Sequence, residues 1–339
     1  MVKVDAFLSG GLAEAEAVAA KVRAAGYDGL WSAELDHDPF LPLARAAGSA
    51  APMELGTSIV VAFARTPMIL ANTAWDLQSL SGGRFILGLG SQVRAHIERR
   101  FSMPWSRPAA RMREFIQALM AIWDTWQDGT PLDFNGEFYS HTLMTPMFNP
   151  GPLESGRPRV MLAAVGTAMT RVAGEVADGL LAHGFTTRSY LQEVTLPTVE
   201  DALARAGRPR EGFEVKYSPF VVTGRNEEEI EQAIVETRER IAFYASTPAY
   251  RPVLEHHGWG ELQTDLNHLA RKGEWKQMGT LIDDDVLHAF ALIATPEELP
   301  VALGTWVAGL ADRTGFISPA GTGVDETVEM IATLRATVG

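Results

Sequence analysis

Five consecutive residues, Glu34-Leu35-Asp36-His37-Asp38, gather three carboxylates around one imidazole. Histidine titrates near neutrality and nearby carboxylates tune it, so such a group can take or give a proton. The same composition also suits a solvated acidic loop, with Asp38 as a cap ahead of Pro39. A lone histidine without a second at ligand spacing is a poor metal set, and no metal is expected. A second polar stretch follows two glycines in Leu87-Gly88-Leu89-Gly90-Ser91-Gln92-Val93-Arg94-Ala95-His96. Gly88 and Gly90 permit close approach of a ligand or tight packing. Val93 stands where a dinucleotide fingerprint needs its third glycine, and no Asp follows at the required spacing, which argues against that cofactor. Gln92 and His96 could hydrogen-bond a heterocycle; His96 also suits a polar helix face.

Two later segments have their own chemistry. In Ala164-Val165-Gly166-Thr167-Ala168-Met169-Thr170-Arg171 a glycine precedes a threonine where a helix should begin. Open backbone N–H groups and the helix dipole make such a start a phosphate site, although a threonine cap alone gives the same pattern. His183, in Ala182-His183-Gly184-Phe185, reads equally as a pocket residue or as a structural, hydrogen-bonded histidine. The run Leu143-Met144-Thr145-Pro146-Met147-Phe148-Asn149-Pro150 is apolar and punctuated by proline. It fits the lining of an apolar pocket or packing over a rim.

All but the Leu143–Pro150 run fall where strands should end. Short apolar strands are expected at Val2–Leu8, Gly29–Glu34, Glu54–Ala62, Arg84–Gly90, Val160–Val165, Gly179–His183, Glu214–Val222 and Thr314–Ser318. Helices are expected between them, among them Gly11–Ala25, Leu41–Ala51, Pro67–Leu80, Arg107–Trp126, Thr167–Ala177, Arg188–Ala206, Glu227–Ala245 and Asp325–Ala336. Strands that are apolar throughout, separated by helices, indicate a parallel sheet covered on both faces. About eight such units favour a closed (β/α)8 TIM barrel, in which chemistry sits at the C-terminal strand ends. The reading is of one domain over residues 1–339 with insertions about 101–158 and 245–300, the second with helical pieces at Leu262–Arg271 and Pro296–Leu310.

Composition narrows the function. The chain has 339 residues, of which 46% are hydrophobic and 21% charged, enough for a large core. Twenty-nine basic residues face 42 acidic ones, for a net charge of −13. That field gives no broad surface for nucleic acid or an anionic membrane. There is no cysteine, which removes disulfides, thiolate nucleophiles and iron–sulfur clusters. Met1-Val2-Lys3-Val4-Asp5 lacks the charged-then-apolar pattern of a secretory leader, so a cytoplasmic protein is expected.

Several blocks together resemble the bacterial luciferase-like monooxygenase superfamily: Gly26-Tyr27-Asp28-Gly29-Leu30-Trp31, Arg65-Thr66-Pro67, Ser81-Gly82-Gly83-Arg84 leading into Gly88-Leu89-Gly90, and Ala173-Gly174-Glu175-Val176-Ala177-Asp178-Gly179. Within it, Glu34…His37-Asp38-Pro39-Phe40 and Thr145-Pro146…Asn149-Pro150-Gly151-Pro152 resemble the branch that uses coenzyme F420, a 5-deazaflavin. The resemblance implies a non-proline cis peptide at Ser58-Ile59 against the deazaflavin ring. Gly90, Ser91 and Gln92 would reach the ring or its ribityl chain. Ala164, Gly166, Thr167, Met169 and Thr170 would hold the phosphate. Sugar-phosphate dehydrogenases of this branch carry an Asp-His pair after strand two and a Glu after strand four. Glu34-Leu35 and Val93 stand there instead, which argues against a glucose-6-phosphate substrate. Glu34, His37 and His96 remain as candidates for proton transfer. The expected function is hydride transfer between F420 and a small organic substrate, in a chain that forms a homodimer as family members commonly do. The alternatives are an FMN-dependent monooxygenase of the same fold and a non-catalytic flavin-binding protein.

Overall fold

The computed structural model describes residues 1–338. Eight parallel strands close a barrel: β1 (Lys3–Phe7), β2 (Gly29–Ser32), β3 (Glu54–Thr57), β4 (Phe85–Gly90), β5 (Arg159–Ala164), β6 (Gly179–Ala182), β7 (Glu214–Tyr217) and β8 (Arg313–Gly315). The order around the barrel is β3-β2-β1-β8-β7-β6-β5-β4, and β4 pairs back to β3 through Leu55 opposite Phe85. A helix follows each strand: α1 (Ala15–Ala24), α2 (Phe40–Ala50), α3 (Pro67–Leu80), α4 (Pro108–Asp128), α5 (Thr167–Val176), α6 (Leu196–Arg205), α7 (Leu299–Val307) and α8 (Val324–Val338). The expected TIM barrel is therefore the observed fold.

Local chemistry sets the helix ends. Thr66 accepts the Ile69 N–H ahead of Pro67, and so caps α3 where proline is best tolerated. In α4, Met112, Phe115, Ile116, Leu119, Ile122, Trp123 and Trp126 recur at helical spacing and are all buried. Each such side chain contributes about 1.5–3 kcal/mol on burial. The apolar face of α4 is thus spent inside this chain. Gly129, in the left-handed region, ends the helix.

The interior is layered. The N-terminal end holds Lys3 and Asp5 from β1, Glu54 from β3, Arg159 from β5, Glu214 and Lys216 from β7 and Arg313 from β8, joined by ion pairs. Above them Trp31, Ile86, Met161 and Leu181 form an apolar middle layer.

Two expectations change here. The reading of Glu214–Val222 as one strand fails at Ser218-Pro219. Proline cannot continue the ladder, and Phe220–Val222 leaves the barrel to pair in parallel with Ala291–Ile293. The excursion therefore begins at 220 rather than 245 and includes Glu227–Ala245, a helix the sequence assigns to the barrel ring. Its core is Ile241, Val253, Leu254, Leu266, Leu287 and Phe290, joined to the barrel through Phe185 and Tyr190. Conversely, the Pro296–Leu310 piece contains α7, the helix of the seventh unit, packed on α8.

Candidate active site

The C-terminal mouth is shaped first by a bulge in β3. Gly56 pairs with Ile86, whereas the next pairs are Val60 with Leu89 and Val61 with Gly90. Four steps on one side thus match three on the other. Within the bulge the Ser58–Ile59 peptide is cis. The Thr57 hydroxyl restores the interrupted ladder, accepting the Gly88 N–H at 2.9 Å and donating to the Gly88 carbonyl at 2.9 Å. A Cβ on Gly88 would overlap the Thr57 carbonyl, and one on Gly90 would lie 2.7 Å from Ile59 Cδ1. Both glycines of the Gly88-Leu89-Gly90 motif are therefore required by the bulge itself. Ile59 packs on the apolar middle layer with Ala163.

Glu34 braces the same bulge. Its backbone N–H donates to the Ile59 carbonyl at 3.0 Å, and its carboxylate accepts the Val61 N–H at 2.7 Å. The Arg65 guanidinium donates to both its oxygens, at 2.8 and 2.6 Å. Buried and fully engaged, Glu34 orients strand three. The remaining expected acid–base residues lie apart from it. His37 is 80% exposed, and among the described residues its one ion-pair contact is Asp36, at 3.6 Å. His96 is exposed on the short helix Arg94–Arg99. Among the described residues no hydrogen bond or ion pair joins Glu34, His37 and His96. Arg100 does tie the two loops, donating to the Leu35 carbonyl.

After β4, Gln92 has φ of +56°, in the left-handed region, and its side-chain oxygen accepts the Val93 N–H. This turn redirects the chain at Ser91, whose hydroxyl donates to the Gln92 carbonyl. A non-glycine residue held there is a feature of functional loops.

After β5 the chain passes through Ala164 and Gly166 into α5. Gly166 is the N-cap residue, with extended backbone and no side-chain cap. Thr170 N–H is bonded to the Gly166 carbonyl, and the Thr170 hydroxyl donates to that same oxygen at 3.1 Å. The N–H groups of Thr167, Ala168 and Met169 have no acceptor among the described residues. Thr167 is exposed, Gly166 and Met169 are half-buried, and Thr170 is buried. Three open amides at the positive end of a helix dipole are chemically able to accept an anion, and Thr167 carries a hydroxyl at the same helix start.

His183, which the sequence reads equally as a pocket or a structural histidine, follows the end of β6. Leu181 points inward with the middle layer and Leu180 outward, so by the strand's period of two His183 continues on the inner side. Its Nδ1 accepts the Phe185 N–H at 2.9 Å, and its ring packs on Tyr244 and Tyr250 from the excursion. Burial pushes its pKa down to about 4, so the ring is neutral. The period-two pattern Gly179-Leu180-Leu181-Ala182-His183 was the available signal. A cavity of about 460 Å³ lies off these residues, lined by Arg225, Glu227, Glu297 and Glu326 among others. Three carboxylates against one guanidinium make it unsuited to phosphate.

No helix among the described residues is long and apolar enough to cross a membrane. In comparisons with known proteins, the luciferase-like monooxygenase family profile matches residues 4–313. An uncharacterised protein of Mycobacterium tuberculosis strain H37Rv is 54% identical over 311 residues, covering 92% of each chain. The 5,10-methylenetetrahydromethanopterin reductase of Archaeoglobus fulgidus is 26% identical over 254 residues, 73% of this chain and 71% of that protein. In structure, the coenzyme F420-dependent tetrahydromethanopterin reductase of Methanopyrus kandleri superposes with a TM-score of 0.76 at 20% identity, over 97% of this chain and 96% of the other. The barrel with its bulged third strand and the profile match across nearly the whole chain lead to one conclusion: this protein belongs to the luciferase-like monooxygenase family.

Proposed function

We propose that this chain is an F420-dependent oxidoreductase that moves a hydride between the deazaflavin coenzyme and a small organic substrate. The observation that carries the proposal is the cluster of three open amides at the start of α5, at the same end of the barrel as the β3 bulge. These donors suit a phosphodiester, and Ile59 with Ala163 offers an apolar seat for a planar ring. Bound there, the coenzyme would supply the hydride chemistry, as such cofactors do. The protein contributes position. Thr167, Ala168 and Met169 would hold the anionic tail through their N–H groups. Ser58, Ile59 and Gly90 would set the plane of the ring, with Ser91 and Gln92 at its edge. Glu34 and Arg65 keep the bulge in place from behind. The sequence similarity to a methanopterin reductase supports the reductase reading over oxygen activation.

The test is a fluorescence titration of the purified chain with F420 and, separately, with FMN. Tight binding of F420 with weak binding of FMN is expected. Binding of FMN without F420, together with oxygen uptake when reduced FMN is supplied, overturns the proposal in favour of a monooxygenase.

A further inference from the structure

The inner ring of the mouth is mostly apolar. Phe7 from β1 is 39% exposed there beside Gly315 of β8, Ile59 covers the middle layer, and Ala163 follows Met161 on β5. His183 at the end of β6 breaks that pattern. We infer that His183 is a substrate-contacting residue, and that it presents Nε2–H as a hydrogen-bond donor to a carbonyl or carboxylate oxygen of the substrate. The inference deepens the proposed function, since it rests on the mouth being the site.

Three observations support the donor role. First, Nδ1 accepts the Phe185 N–H at 2.9 Å, so it carries no proton. A neutral imidazole then has its hydrogen on Nε2. Second, Nε2 has no partner among the described residues, and it is not one of the buried polar atoms left orphaned, so it keeps an approach open. Third, the ring is clamped. Tyr244 meets it edge-on with centroids 4.7 Å apart, and Tyr250 lies at 5.3 Å and 33°. A clamped donor loses little freedom on binding.

The surroundings keep the donor uncharged. Tyr244 and Tyr250 are the titratable groups packed on the ring, and burial holds the Tyr250 phenol up at about 12. No carboxylate or cation pairs with His183 among the described residues, and burial alone accounts for its low pKa. A neutral imidazole polarises a carbonyl without adding a charge to an apolar site. The substrate class that fits is a compact molecule whose carbonyl or carboxylate oxygen meets Nε2–H while its apolar part lies along Tyr244 and Tyr250.

The experiment is nitrogen NMR of the histidine-labelled chain, recorded with and without F420, with benzaldehyde and benzoate as probes. The expected result is a protonated Nε2 on His183 that does not titrate between about pH 5.5 and 8, with the Nε2–H signal moving downfield on adding either probe. In His183→Phe, which keeps the ring but removes the donor, probe affinity should fall roughly tenfold or more, while His183→Gln, which keeps an N–H, should stay within about threefold of the unmodified chain. A proton on Nδ1, a titration near 6.5, silence of Nε2–H to both probes, or unchanged probe affinity in His183→Phe each overturns the inference. If the Phe variant does not fold, the tautomer and probe shifts of the unmodified chain decide. F420 binding is read on the same samples by fluorescence. Its absence defeats the coenzyme assignment, whereas the NMR without coenzyme judges His183 separately.

Discussion

At the closed end of the barrel the charges on β1, β3, β5, β7 and β8 are joined in ion pairs, whereas at the mouth the first amides of α5 and the Nε2 of His183 have no partner among the described residues. Arg313 alone binds Asp5, Glu54 and Glu214, and Lys3 and Arg159 each bridge Glu54 and Glu214. Lys216 is buried against Asp5 at 2.6 Å and lies over the Trp31 ring. Burial would raise the three carboxylates, but their cationic partners outweigh it and hold all three below the usual range. Burial lowers Lys216 against the opposing pull of Asp5. Saturated polar groups hold an architecture together; unsaturated ones at a solvent-facing end are available to a ligand. Under the proposed function, the difference separates stability from binding along one barrel axis.

The strongest way to break this comparison is Arg313→Met. Three carboxylates would lose their shared cation inside the barrel, and removing one partner of a buried ionic set costs about 3–5 kcal/mol. Chemical unfolding should show that loss, while coenzyme affinity, measured where the variant is still folded, stays near that of the unmodified chain. A stable Arg313→Met chain with lost binding would invert the assignment of the two ends. Gly88→Ala strikes between them, because its Cβ meets the backbone of Thr57 rather than a movable side chain. A cost of about 3 kcal/mol is expected, with coenzyme binding lost as the bulge shifts.

Acid should affect the closed end selectively. The folded pKa values of Asp5, Glu54 and Glu214 lie below their unfolded ones. Their stabilisation is therefore fully present above about pH 5, clear of the unfolded carboxylate values, and is lost as the pH falls through the folded values. Urea midpoints measured from pH 7 downward should stay level and then drop, with a loss on the order of 2 kcal/mol by pH 3. A steady decline beginning near pH 6.5 would point to a histidine instead. The gentlest test is Thr167→Pro. Proline suits the first helical position after the extended Gly166, so the fold should shift by less than about 0.5 kcal/mol. The variant removes one amide and one hydroxyl at the anion receptor, and F420 affinity should fall about tenfold. Unchanged affinity would remove α5 from the coenzyme site.

Much of the barrel was legible because its elements are set locally. The apolar run Phe85–Gly90, the Thr66-Pro67 start of α3 and the apolar spacing of α4 each follow from their own residues. The open helix start at Gly166-Thr167 could be read the same way. The boundary of the excursion could not, since Glu227–Ala245 is equally helical against a barrel or against its own small core. Ser218-Pro219 was the sign that the strand stops. The charged layer also had a signal, the alternation Lys3-Val4-Asp5 and Glu214-Val215-Lys216, in which every second residue of a buried strand is ionic.

Residue spacing by itself determined the strand-and-helix alternation and most of the segments that end at the mouth, because these depend on periods of two and 3.6 along the chain, while particular motifs such as Ser81-Gly82-Gly83-Arg84 carried the family resemblance. The tertiary structure alone decided which polar groups are spent and which are open. Glu34 lies only 31 positions from Arg65, yet nothing in either segment shows that they neutralise each other; His183 meets Tyr244 and Tyr250 only once the excursion folds back over β6. Saturation of a donor or a charge depends on neighbours distant in sequence, and those are fixed only when the barrel closes.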